Sequence, residues 1–119
     1  MIMKILFIIN DAPYGSEKAY NALRLVNALQ TTKSDAKVVI FLLSDAVACG
    51  VIHQSTPQGY YNIEGMLKTA IEKGAKVKAC TTCLKARGMY ELKMIEGVEA
   101  GGMSDLATWV QESDKIVTF

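Results

Sequence analysis

The stretch Lys4-Ile5-Leu6-Phe7-Ile8-Ile9 opens on one charge and continues with apolar side chains only. A strand with one face in water alternates polar and apolar residues. An unbroken β-branched and aromatic run is what a strand covered on both faces requires. A turn-rich segment follows, Asn10-Asp11-Ala12-Pro13-Tyr14-Gly15-Ser16. Beyond it Ala19, Ala22, Leu23, Val26 and Leu29 recur at helical spacing, which predicts a helix from Glu17 with Ser16 as its N-cap. Lys37 to Leu43 is a second apolar run. Strand, helix and strand in that order make a βαβ unit with parallel strands.

The rest of the chain repeats the alternation. Ala46 to Ile52 suits a short helix, and Gln54 to Tyr61, with its Ser, Thr, Pro and Gly, suits a loop. Ile63, Met66, Leu67, Ala70 and Ile71 form the cleanest helical stripe, closed by Glu72-Lys73-Gly74 with the glycine at the C′ position. Ala75 to Ala79 predicts a third strand running directly into Cys80, and Thr81 to Ala86 one or two helical turns stopped at Gly88. A weak fourth strand is expected between Lys93 and Val98, a helix from about Ser104, and a last strand over Lys115 to Phe119. The expected fold is α/β: a three-layer α/β/α sandwich with a mostly parallel five-stranded sheet, one domain over residues 1–119.

Composition limits the function classes. Half of the 119 residues are hydrophobic and 21% are charged, the range of a globular chain. Thirteen basic against twelve acidic residues leave a net charge of +1, too little excess for a nucleic-acid or membrane-surface partner held by phosphates. The N-terminal apolar run is too short to span a bilayer and no small-residue cleavage site follows. Three cysteines make an odd count in a chain long enough to fold without disulfides, so the thiols are expected reduced and the protein cytoplasmic.

In an open parallel sheet, chemistry collects beyond the carboxyl ends of the strands. Those ends read Asn10-Asp11, Ser44-Asp45 and Cys80. The aspartates and serines are ordinary turn residues and serve at most to shape a pocket, together with Tyr14, Gly15 and Ser16 of the first loop and Arg87. Neither a dinucleotide G-x-G-x-x-G nor a P-loop is present. No cofactor is assigned, although a single glycine loop leaves a flavin or a lone phosphate open.

Cysteine is not a turn residue, which sets Cys80 apart. Cys80-Thr81-Thr82-Cys83 is a C-x-x-C at a strand-to-helix junction, where free helix N–H groups favour thiolate over thiol. Lys78, Lys85 and Arg87 flank it, and the Cys80 pKa is expected below that of a free cysteine. Such a thiolate attacks disulfides or accepts sulfane sulfur as a persulfide, with a second cysteine in reach to resolve the adduct. Two rival readings remain: inert buried thiols, or a zinc site from Cys49-x-x-x-His53 with Cys80 and Cys83. No metal is assigned.

Several segments together carry a family resemblance. They are Lys4 to Asn10, the loop Ala12-Pro13-Tyr14-Gly15-Ser16-Glu17, Leu43-Ser44-Asp45-Ala46-Val47, Gly59-Tyr60-Tyr61-Asn62-Ile63, Cys80 through Arg87-Gly88, and Ser113 to Phe119. Over nearly its whole length the sequence resembles the DsrE/DsrF-like family, most closely its small YchN-like branch. The resemblance implies an α/β/α sandwich, a homo-oligomer (trimer or hexamer), and sulfurtransferase-like sulfur relay between donor and acceptor proteins. Relay members hold a persulfide on a loop cysteine eight residues before the glycine of an Arg-Gly pair, which here is Cys80. Cys83 matches the YchN-like branch and is either a resolving thiol or a spectator. The competing expectation is a non-enzymatic oligomeric binding module, or a zinc- or redox-linked C-x-x-C protein.

Overall fold

Every strand of the sheet runs parallel to its neighbours, in the order β4-β3-β2-β1-β5. The structure, a computed structural model, describes residues 2–32 and 35–119. The strands are β1 (Lys4–Ile9), β2 (Lys37–Leu42), β3 (Lys76–Cys80), β4 (Val98–Gly101) and β5 (Lys115–Thr118). The helices are α1 (Lys18–Thr31), α2 (Ile63–Glu72), α3 (Thr81–Ala86) and α4 (Met103–Glu112), with a 3-10 helix over Ser44–Gly50. Among the described residues no helix is long and apolar enough to cross a membrane.

The order explains the layers. From β1 through β3 the chain steps one way across the sheet, and from β4 it crosses back to β5 beyond β1. Right-handed crossovers then place α1 and α2 on one face and α4 on the other. Phe41 and Lys78 stand in register on the α4 face, where Trp109 meets Phe41 edge-on at 6.0 Å. On the opposite face Gln30 Nε2 donates to the Ala70 carbonyl at 2.9 Å and ties α1 to α2. Leu6, Phe7, Ile40, Phe41 and Leu42 are wholly buried between the layers, each contributing about 1.5–3 kcal/mol by leaving water. Covered on both faces, β1 and β2 carry no polar alternation.

Helix ends follow local chemistry. Asn62 Oδ1 accepts the Gly65 N–H at 2.9 Å and caps α2. Gly74 beyond its other end has φ +105°, the left-handed conformation that a C′ residue needs. At α1 the outcome differs from the expected cap. Glu17 is the N-cap residue and makes no side-chain cap, while Ser16 Oγ accepts the Lys18 N–H at 3.3 Å.

Two expected elements are corrected. The fourth strand is Val98–Gly101, not Lys93 to Val98. Ile95 is buried and its N–H reaches the Gly50 carbonyl at 2.7 Å, and Met94 forms an isolated bridge with Val51. Its apolarity serves a loop plug, while the true edge strand exposes Glu99 and Ala100. The short helix expected over Ala46 to Ile52 begins earlier, at Ser44, and has 3-10 geometry.

Candidate functional site

Because β1, β2 and β3 are neighbours, their carboxyl ends form one edge. Cys80 is both the last residue of β3 and the N-cap of α3, so no loop separates strand from helix. Its Sγ accepts the Cys83 N–H at 3.5 Å. Cys83, one turn on, places its own Sγ 3.2 Å from the Ser44 N–H at the end of β2. Ser44 has φ +53°, a left-handed conformation that side-chain-bearing residues adopt sparingly. Arg87 completes the corner: Nε donates to Asp45 Oδ1 at 2.8 Å and Nη1 to the Cys83 carbonyl at 3.2 Å. Five residues singled out from the sequence therefore meet here: Ser44, Asp45, Cys80, Cys83 and Arg87.

The electrostatics of Cys80 overturn the expectation of a lowered pKa. Burial pushes the thiol up, and only 4% of the residue is exposed. The Cys83 N–H pulls the other way and the Cys83 thiol adds to the rise. The helix that was to supply the field, α3, is only six residues long. The expected cations are paired with groups other than the Cys80 sulfur. Lys78 Nζ lies 5.1 Å from the centre of the Trp109 ring and 3.4 Å from Asp105 Oδ1. Lys85 Nζ sits over Tyr90, and Arg87 is on Asp45.

The remaining candidates lie in a second cluster after β1. Ser16 Oγ donates to Asp11 Oδ2 at 2.7 Å. Tyr14 Oη donates to Gln54 Oε1 at 2.7 Å and accepts the Ile63 N–H at 3.0 Å. Gly15 is exposed, with φ +104°. Asn10 faces away from the cysteines, its Nδ2 donating to the Phe119 carbonyl at 3.3 Å beside β5. Cys49 lies beneath this loop, its Sγ 3.9 Å from the Asp11 carbonyl, and burial pushes its pKa up to about 12. His53 is exposed, and among the described residues no three His, Cys, Asp or Glu side chains assemble as a metal-binding group.

Residues passed over in the sequence hold this second cluster together. Gln54 Nε2 donates to the Cys49 and Val51 carbonyls at 3.1 and 3.0 Å, and Oε1 also accepts the Glu64 N–H at 3.1 Å. Its own N–H reaches Glu64 Oε1 at 2.9 Å. A glutamine in a polar loop carries no local signal of such a role. Gly101, the register partner of Cys80, was likewise unremarkable in sequence. A Cβ there would lie 3.1 Å from Lys78 Cδ, so glycine lets the lysine cross β4 towards Asp105.

Comparison with known proteins places this geometry among relatives. The profile described as the DsrE/DsrF-like family matches residues 3–119. Protein YchN of Escherichia coli is 42% identical over 118 residues, 99% of this chain and 100% of that protein. An uncharacterized protein of Methanocaldococcus jannaschii is 46% identical over 117 residues, covering 98% of this chain and all of that one. The crystal structure of the E. coli protein superposes with a TM-score of 0.93 at 43% identity, covering 98% and 99% of the two chains. A protein of unknown function from Methanobacterium thermoautotrophicum shares the fold, with a TM-score of 0.75 at 17% identity over 98% and 99% of the chains.

Proposed function

The chain belongs to the DsrE/DsrF-like family, and on that footing we propose that it is a sulfur carrier which stores sulfane sulfur as a persulfide on Cys80 and passes it to a partner protein. The observation that carries this reading is the thiol pair. Cys80 Sγ and Cys83 Sγ stand one turn apart at the sheet edge, each facing a backbone N–H. A persulfide is more acidic and more nucleophilic than a thiol and decays readily in water. Burial of Cys80 therefore suits storage better than first attack. Cys83 is close enough to displace the stored sulfur by forming a disulfide, or to leave it for an acceptor.

The same reading has the protein working as a homo-oligomer, trimer or hexamer, between a sulfur donor and an acceptor. Met103, Val110 and Ile116, apolar and 64%, 39% and 45% exposed on the α4 side, support assembly; light scattering at micromolar concentration reads it directly.

The test of function is loading with inorganic polysulfide in the absence of reductant. Wild-type protein is expected to gain one sulfur atom on the peptide holding Cys80 and Cys83, released by cyanide or dithiothreitol. The double variant Cys80→Ser/Cys83→Ser should gain none. Wild-type protein that gains no sulfur on either thiol ends the carrier reading in favour of a binding module.

A further inference from the structure

The two thiols of the corner are not equivalent. Cys80 is 4% exposed, whereas Cys83 is half-buried, with its sulfur on the Ser44 amide at the start of the 3-10 segment. Thiol–persulfide exchange needs the attacking sulfur in line with the S–S bond of the donor, so a bulky donor reaches an open sulfur and not an enclosed one. Resting on the sulfur-carrier reading, we infer that sulfur enters on Cys83 and then moves to Cys80, with the Ser44 amide orienting the Cys83 sulfur for attack.

Three features of the corner converge on that order. The Ser44 N–H is 3.2 Å from Cys83 Sγ, and a hydrogen bond from an N–H to sulfur strengthens when the sulfur is charged. Ser44 has a left-handed φ of +53°, so the chain turns sharply just after that amide and leads into Asp45 and the 3-10 segment. Arg87 then clamps both partners at once. Through Asp45 it holds the residue after Ser44, and through the Cys83 carbonyl it holds the turn that bears the sulfur.

The chemistry balances without an outside oxidant. The Cys83 thiolate attacks the outer sulfur of a persulfide or polysulfide donor; the donor S–S bond breaks, Cys83–S–SH forms, and the donor leaves as thiolate. Cys80 sulfur next attacks the outer sulfur on Cys83. The Cys83 S–S bond breaks, Cys80–S–SH forms, and the proton of the Cys80 thiol ends on the departing Cys83 sulfur.

The experiment is a short polysulfide pulse, quenched by alkylation, with fragmentation mass spectrometry assigning the sulfur to Cys80 or Cys83. In wild-type protein the earliest label is expected on Cys83 and later label on Cys80. Cys83→Ser should load Cys80 about tenfold more slowly than wild type and hold it longer, while Cys80→Ser should load Cys83 at the wild-type rate and lose it faster to cyanide. Ser44→Gly keeps both the amide and the left-handed conformation and should load within about twofold of wild type. Ser44→Val, β-branched at positive φ, should load about tenfold more slowly even where circular dichroism shows it folded. Direct labelling of Cys80 at the wild-type rate in Cys83→Ser overturns the entry order. Full-rate loading of folded Ser44→Val overturns the role of the amide. Absence of sulfur from both thiols in wild type instead removes the carrier reading itself.

Discussion

The carboxyl edge of the sheet contains two regions built on different terms. Beside β1, Tyr14, Gln54, Glu64 and the Cys49 carbonyl share a closed set of short hydrogen bonds. Beside β2 and β3, the corner of Ser44, Cys80, Cys83 and Arg87 is held by longer contacts to sulfur and one partly exposed ion pair. Both regions contain cysteine. Cys49 belongs to the first and is held as a neutral thiol with its pKa pushed up to about 12, while Cys83, in the second, is only half-buried. The difference teaches that the two regions are held on unlike terms: short hydrogen bonds pair the groups of the brace, and the cysteine corner, where we propose the sulfur chemistry, is left with longer contacts to sulfur.

The sharpest way to test that difference is pH. The Cys49 thiol is neutral in the folded protein up to about 12, against an ordinary value of 9.0. Above pH 9 the unfolded chain therefore loses a proton that the folded chain keeps. Stability from this group is fully present below that pH and falls by about 1.4 kcal/mol per unit as pH rises towards 12. Urea unfolding of wild type and Cys49→Ala across pH 8 to 11 should show this extra slope in wild type alone. Parallel curves would mean that Cys49 is not the inert thiol of the pair of regions.

A smaller effect separates the brace from the corner. Gln54→Ala strips partners from Tyr14 Oη, the Glu64 N–H and two carbonyls, and should cost about 2–3 kcal/mol in chemical denaturation. Sulfur loading per folded molecule should stay unchanged, since Gln54 touches neither Cys80 nor Cys83. A variant of full stability, or one that folds and no longer loads, would merge the two regions into one. The smallest effect is expected at Arg87. Its ion pair with Asp45 is partly in water, so Arg87→Ala should lower stability by no more than about 1 kcal/mol. A larger loss would make the corner a structural brace in its own right.

Much of this was legible in the residues. Lys4 to Ile9 and Lys37 to Leu43 read as buried parallel strands because nothing polar interrupts their apolar runs, and the α2 stripe with Gly74 after it reads as a helix with its C-terminal end marked, whereas its Asn62 cap was passed over. The edge strand β4 was misplaced for a matching reason. Apolar Met94 and Ile95 imitate a strand, whereas Val98–Gly101 exposes Glu99 and Ala100 and carries little hydrophobic signal.

For the site, sequence alone determined that two thiols stand one helical turn apart at the end of a central strand. Periodicity, turn chemistry and a C-x-x-C spacing are local, and local rules suffice for them. The state of those thiols was decided only by the tertiary structure. The Ser44 amide that meets Cys83 is 39 residues away in sequence, and the Asp105 that takes Lys78 is 27 away. Burial of Cys80 likewise depends on how completely distant segments exclude water from one sulfur atom, and that exclusion outweighs the field of a six-residue helix. A charge responds to every atom around it in space, whichever part of the chain supplies that atom.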